Sequence, residues 1–217
     1  MAAVGGGVPD RQPVMAWPYG NDRSDIRCFA DDTMPDRIEP SDRISLVEVV
    51  NPFGLAIQKS VDINRILKED PRKGNEILTE LANETARQTD LAFEVGADGI
   101  LYRLYGARAA HCTPMQYGGY YLERDRELLD AADRGLSNVL FVVGEDDVFL
   151  DFVTDLPAQA FGWDAKGSRI TAADVRQMRD GALISEDPES DILLEPVTAS
   201  LSRILETSVK TEDSYAL

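Results

Sequence analysis

Between Pro71 and Val95 apolar and small residues return every three or four positions, so that Ile77, Leu78, Leu81, Thr85, Gln88, Leu91 and Ala92 trace one stripe among charged neighbours. That is the period of an amphipathic helix. Asp70-Pro71 supplies an N-cap and a first-turn proline, which predicts a helix over 72–95. Gly96 stands where a helix end takes a positive φ, and Ala97-Asp98-Gly99 is a short loop into the apolar run Ile100, Leu101, Tyr102. The same helix, turn and strand pattern recurs. Arg134-Gly135 precedes an apolar run over 138–144, Asp155-Leu-Pro157 precedes 158–163, and Asp180-Gly181 precedes 182–185. Helical patterns alternating with short strand patterns imply a parallel sheet, either a barrel or a doubly wound sheet.

Earlier in the chain a first strand is predicted over 12–17, stopped by Pro18, and a second over the β-branched run Ile44 to Val50, ended by the turn signal Asn51-Pro52. The polar, Asp-rich stretch between them, to Asp42, shows neither period and is expected to be a long loop. Further helices are predicted over 54–60, 62–68, 122–133, 148–154, 171–179 with Thr171 as N-cap, and 197–209. Gly118-Gly119 is read as a turn, not a phosphate loop, because no Lys-Ser or Lys-Thr follows. Six strands are legible. The expected organisation is a disordered tail over 1–10, one α/β domain over 11–209 and an acidic tail over 210–217.

Charge and cysteine content narrow the function. A net charge of −17 excludes a nucleic-acid footprint, which needs clustered Lys and Arg, and the scattered acids read as a solubilising surface. Two cysteines, Cys28 and Cys112, give no zinc-ligand spacing, so reduced thiols and no metal are expected. The chain shows no apolar run of membrane-spanning length and no charged-then-apolar leader, which predicts a cytoplasmic protein away from membranes.

A string of short matches then carries a resemblance. In order, they are Val8-Pro-Asp-Arg-Gln-Pro-Val-Met-Ala-Trp17, Glu48-Val-Val-Asn-Pro-Phe-Gly-Leu-Ala56, Glu69-Asp-Pro71, Glu94-Val-Gly-Ala-Asp-Gly-Ile100, Val139-Leu-Phe-Val-Val-Gly-Glu145, Leu156-Pro-Ala-Gln-Ala-Phe-Gly-Trp163 and Arg179-Asp-Gly-Ala-Leu-Ile184. Together they resemble the uroporphyrinogen decarboxylase superfamily, whose other large branch is the corrinoid-linked methyltransferases. The resemblance runs from about residue 8 to about residue 207. It implies a TIM-type (β/α) barrel, usually paired into a homodimer, with the ligand at the carboxyl ends of the strands.

The departures are as informative. The methyltransferase branch carries zinc on a His-x-Cys pair in one strand and on a later Cys, whereas Phe141 and Val143 occupy the places of that pair here. Neither side chain binds a metal. The decarboxylase branch uses a histidine loop after its last strand, and no such loop is present. With 217 residues against about 250 for a full eight-unit barrel, a shortened or incomplete barrel is expected, its open edges covered by a second copy.

Candidate chemistry follows the strand ends. Arg103, Tyr105, Arg108, His111 and Cys112 lie on or just after the strand that starts at Ile100, Arg23 follows the first strand, Glu145 and Asp146 follow Gly144, and Asp164 follows Trp163. A polycarboxylate bound to a pyrrole frame needs Arg forks for its carboxylates, for which Arg23 and Arg108 are the candidates, and an acid facing the ring N–H groups, for which Glu145 is one. Decarboxylation needs a proton donor and a group that stabilises a cationic intermediate, and no cofactor. Asp164 is the first candidate for the latter, with His111 and Tyr105 beside it as catalytic candidates. The weighed alternatives for these residues are ion pairs for the arginines, an N-cap for Asp164 and an exposed surface position for His111. The expected function is metal-free binding or decarboxylation of a tetrapyrrole-type polycarboxylate. The rivals are a corrinoid-linked methyltransferase without zinc and a noncatalytic binding or scaffold subunit.

Overall fold

The computed structural model describes residues 11–17, 24–30, 34–187 and 189–196. Eight strands, β1 (Val14–Trp17), β2 (Ile26–Phe29), β3 (Ile44–Val50), β4 (Gly99–Leu104), β5 (Val139–Val142), β6 (Ala160–Trp163), β7 (Ala182–Ser185) and β8 (Ile192–Pro196), form a closed barrel. Every pairing is parallel, including β1 with β8. Eight helices accompany them: α1 (Pro52–Gln58), α2 (Ile63–Glu69), α3 (Pro71–Glu94), α4 (Pro114–Tyr120), α5 (Leu122–Ala131), α6 (Leu150–Val153), α7 (Ala165–Ser168) and α8 (Ala172–Arg176). The architecture is a TIM-type α/β barrel. No helix among the described residues is long and apolar enough to cross a membrane.

The expectation of six strands and an incomplete barrel is corrected. β2 lies inside the stretch expected to be a loop, and β8 follows Asp191. The chain closes eight strands by shortening connections instead: residues 34–43 and 186–187 with 189–191, the described parts of the β2–β3 and β7–β8 connections, contain no helix. Closure also removes the open edges that were to recruit a second copy. Two further helices were missed. One of them, α4, contains Gly118 and Gly119, so these are helical rather than turn glycines. The helix expected over 197–209 and both expected tails lie outside the described residues.

Alternation along the strands divides the apolar residues into two cores. Met15, Ile26, Cys28, Ile44, Leu46, Leu101, Val139, Phe141, Ala160, Ala182, Ile184 and Ile192 fill the barrel, while Val47, Val49, Ile100, Tyr102, Leu140, Phe161 and Leu183 face outward in the core shared with the helices. α3 buries Gly74, Leu78, Leu81, Thr85, Thr89 and Ala92. Leu91, assigned to that stripe, is 42% exposed. Asp70 caps α3 by accepting from the Lys73 N–H at 3.1 Å, and Gly96 takes the expected left-handed turn with φ 95°.

One buried polar network fixes the junctions above β3 and β4. Asn51 ends β3 and caps α1, its Oδ1 accepting from the N–H groups of Gly54 at 2.9 Å and Tyr105 at 3.0 Å. Its Nδ2 donates to the Tyr105 carbonyl at 3.2 Å and to Asp125 Oδ2 at 3.5 Å. Asp125, on α5, also accepts from the hydroxyls of Tyr102 at 2.7 Å and Tyr117 at 2.6 Å. Burial pushes the Asp125 carboxyl up to about 6, outweighing the hydrogen bonds that favour its ionised form. Next to Tyr105, Gly106 takes φ 89°, and a Cβ there would lie 2.1 Å from the Phe53 ring.

Two outcomes follow. Because the folded pKa of Asp125 lies above the ordinary carboxylate value, its contribution favours folding most below about pH 4 and fades as pH rises through about 6. The stability of the wild type relative to Asp125→Asn therefore falls between pH 4 and pH 7, by up to roughly 3 kcal/mol. Urea unfolding of both proteins at the two pH values measures this, and a flat or rising difference contradicts it. Gly106→Ala is expected to cost about 2 kcal/mol or more, through the positive φ and the collision with Phe53 together, read as a lower urea midpoint at unchanged slope.

Candidate functional site

At the carboxyl end of β3 and β4 the inward positions stop being apolar. Ile44 and Leu46 are followed by Glu48, and Leu101 is followed by Arg103 and then by Tyr105 just beyond the strand. Glu48 pairs in register with Leu101, and Arg103 lies between Val50 and Phe141. Their side chains meet inside the barrel mouth. Arg103 Nη1 is 3.2 Å from Glu48 Oε1, and the two side chains are only 15% and 14% exposed. The Arg103 guanidinium lies 4.8 Å from the centre of the Tyr105 ring. Burial, then the Glu48 charge, raises the phenol of Tyr105, while Arg103 lowers it, and the net direction is up. Cys28 lies deeper, its thiol pushed far up by burial and then by Glu48, so it is an inert wall of the site.

The mouth thus holds a carboxylate, a guanidinium and a phenol on a floor of aliphatic side chains. Charges removed from water this far are tolerated only when paired, and they are strong electrostatic partners for whatever displaces the remaining water. Phe141 is buried and faces inward on β5, and Val143 packs against the same interior core. Among the described residues, no group of three or more His, Cys, Asp or Glu side chains could hold a metal ion.

The rim is built from two loops zipped together. Arg108 and Val148 form an antiparallel bridge. The Phe149 N–H donates to the Ala107 carbonyl at 2.8 Å, and the Ala110 N–H donates to Asp147 Oδ2 at 2.8 Å. Arg108 Nε lies 2.7 Å from Asp147 Oδ1, and its Nη2 lies 4.0 Å from Glu145. Arg108 and Glu145 are therefore brought together, with Asp147, which was not singled out from the sequence, as the nearer partner of the arginine.

The remaining candidates are spread around the same rim, since all carboxyl ends of a closed parallel barrel face one side. Tyr105 sits in the mouth, half-buried. His111 is exposed, its ring centre 6.2 Å from that of Phe53 and edge-on to it. Neighbouring Cys112 is buried, donates to the Gly106 carbonyl at 3.3 Å, and has its thiol pushed up to about 11 by burial. Asp164 is exposed and caps α7, its Oδ1 accepting from the Gly167 N–H at 2.7 Å. Arg23 lies outside the described residues.

Glu48 was passed over in the sequence. The available signal was a charge at an inward position of an otherwise apolar strand, repeated with opposite sign at Arg103 on the next strand.

No protein-family model and no curated protein matches the chain. Among solved structures it is similar to a methyltransferase from Methanosarcina mazei, with a TM-score of 0.59 and 14% sequence identity, over 72% of this chain and 53% of that one. The chain spans about half the length of that structure, and what the two share is the barrel fold.

Proposed function

We propose that the barrel mouth binds a tetrapyrrole-type polycarboxylate and decarboxylates it without metal, in the manner of uroporphyrinogen decarboxylases. The supporting observation is the partly buried Glu48–Arg103 pair under Tyr105. A guanidinium in a poorly hydrated mouth is suited to a substrate carboxylate. A carboxylate beside it is suited to the pyrrole N–H groups and to the positive charge that appears when the ring is protonated. Carbon dioxide then leaves as its bonding electrons pass to the cationic ring, giving an exocyclic methylene; a proton delivered to that carbon completes the methyl group, and the proton first added to the ring departs to restore the pyrrole. Glu48 is the first candidate for stabilising the cation and Asp164 the second. Tyr105 and His111 are candidates for moving protons, and Arg23, Arg108 and Glu145 for holding peripheral carboxyl and N–H groups.

A second reading, corrinoid-linked methyl transfer without zinc, is favoured by the Methanosarcina mazei methyltransferase as a structural relative. The apolar side chains of Phe141 and Val143 on the mouth side of β5 weigh against it, because they offer no donor to activate a thiol.

Anaerobic titration of the chain with uroporphyrinogen, uroporphyrin and cobalamin separates the two, with carbon dioxide release as the readout for turnover. Saturable binding of the porphyrinogen with carbon dioxide release is expected. Arg103→Lys should weaken binding about tenfold, which is about 1.4 kcal/mol. Glu48→Gln should abolish release while retaining most binding. Binding of cobalamin but not of porphyrinogen transfers the assignment to the second reading. Binding without carbon dioxide release leaves a noncatalytic carrier.

A further inference from the structure

A second pocket, of about 370 Å³, opens on the rim where the chain leaves β6 and β7, and Ala165, Lys166, Arg169, Ile170, Thr171, Glu186 and Asp187 line it. Its arginine is unusual for this chain. Acids outnumber bases 39 to 22, and most of the described arginines are in ion pairs or hydrogen bonds. Yet neither Lys166 nor Arg169 has an acidic partner among the described residues, and Glu186, from the β7–β8 connection, has no cationic one among them. Asp187 differs, since its carboxylate already accepts from the N–H groups of Ala172 at 2.8 Å and Glu189 at 3.0 Å. Two cations and two anions therefore line one cavity without an ion pair between them, and of the two carboxylates that of Glu186 is the one left without a hydrogen-bond donor among the described residues.

The walls are fixed rather than loose. Trp163 Nε1 donates to the Ile170 carbonyl at 2.9 Å, and the Asp187 bond to Ala172 ties the β7–β8 connection to the start of α8. Arg169 is held at φ 61° and ψ 21° as the left-handed C-cap of α7. Glycine adopts that conformation freely and arginine does not, so the backbone tolerates strain where the cation stands.

We propose that this pocket binds a small zwitterion, its carboxylate or other anionic group on Lys166 and Arg169 and its ammonium on Glu186. A simple anion would meet Glu186 unfavourably, and a simple cation would meet the two bases. A ligand carrying both signs satisfies all three at once. The pocket shares no lining residue with the Glu48–Arg103 pair, and its occupancy does not depend on the polycarboxylate reading.

The test is an amide NMR titration of the ¹⁵N-labelled chain with glycine, 4-aminobutyrate and 6-aminohexanoate, against butyrate, succinate and n-butylamine. The expected result is saturable shifts confined to residues 165–171 and 186–187, with at least one amino acid binding about tenfold tighter than any singly signed probe. Arg169→Gly, which relieves the left-handed strain and keeps the melting temperature, should weaken that binding at least about fivefold. Glu186→Gln should erase the preference for the amino acid over butyrate. The proposal is overturned if no amino acid saturates, if succinate or butyrate binds as tightly to the wild type, if the shifts fall instead around Glu48 and Arg103, or if both variants bind unchanged. A failure here leaves the porphyrinogen titration of the mouth untouched.

Discussion

A carboxylate and a guanidinium facing each other inside a parallel barrel make an ion pair that the fold must work to accommodate. Glu48 and Arg103 come from neighbouring strands, and they meet only because β3 and β4 run parallel in one register and both point the same parity of residue inward. A slip of one residue would turn both charges into the outer apolar core. Every inward position beneath them on these two strands is aliphatic or glycine, so the pair is partly desolvated without being sealed in. It costs stability relative to an apolar filling, and it gives the mouth its electrostatics.

What surrounds the pair keeps it in place. The Asn51 carboxamide closes on both backbone groups of Tyr105 while capping α1, which holds the Tyr105 ring over the guanidinium. Asn51 is in turn held by Asp125, whose other partners, Tyr102 and Tyr117, reach it from β4 and α4. Gly106 lets the chain turn away against Phe53 and enter the loop whose Arg108 is fastened to Asp147 of the β5–α6 loop. Residues from β3, β4, α4, α5 and the β5–α6 loop thus brace one side of the mouth from the outer core and the rim.

Much of the fold was legible because period and punctuation coincide. The stripe of α3, its Asp70-Pro71 start, the Gly96 turn and the apolar runs of β4 to β7 each carry two independent signals. β2 and β8 were not legible, for a physical reason: they are as short as β5 to β7 or nearly so, but no helix pattern and turn precedes them to announce a strand, and their pairing is decided by barrel closure. The site was legible in location more than in membership. Strand ends pointed to Tyr105, Arg108, Glu145 and Asp164, whereas Glu48 sits inside a strand and Asp147 is recognisable only once two loops are paired. Leu91 shows the opposite failure, a residue on the right stripe whose neighbours leave it exposed.

The central claim, that the Glu48–Arg103 pair is kept for what it does in the mouth and not for the stability of the barrel, is tested most directly by the unfolding free energies of Glu48→Leu, Arg103→Met and the double variant. Each single change removes the opposite charge from a partly buried group and is predicted to cost roughly 3 kcal/mol. The double variant is predicted to be as stable as the wild type or more so. A double variant less stable than the wild type by more than about 2 kcal/mol would show that the pair is structural, and would contradict the account.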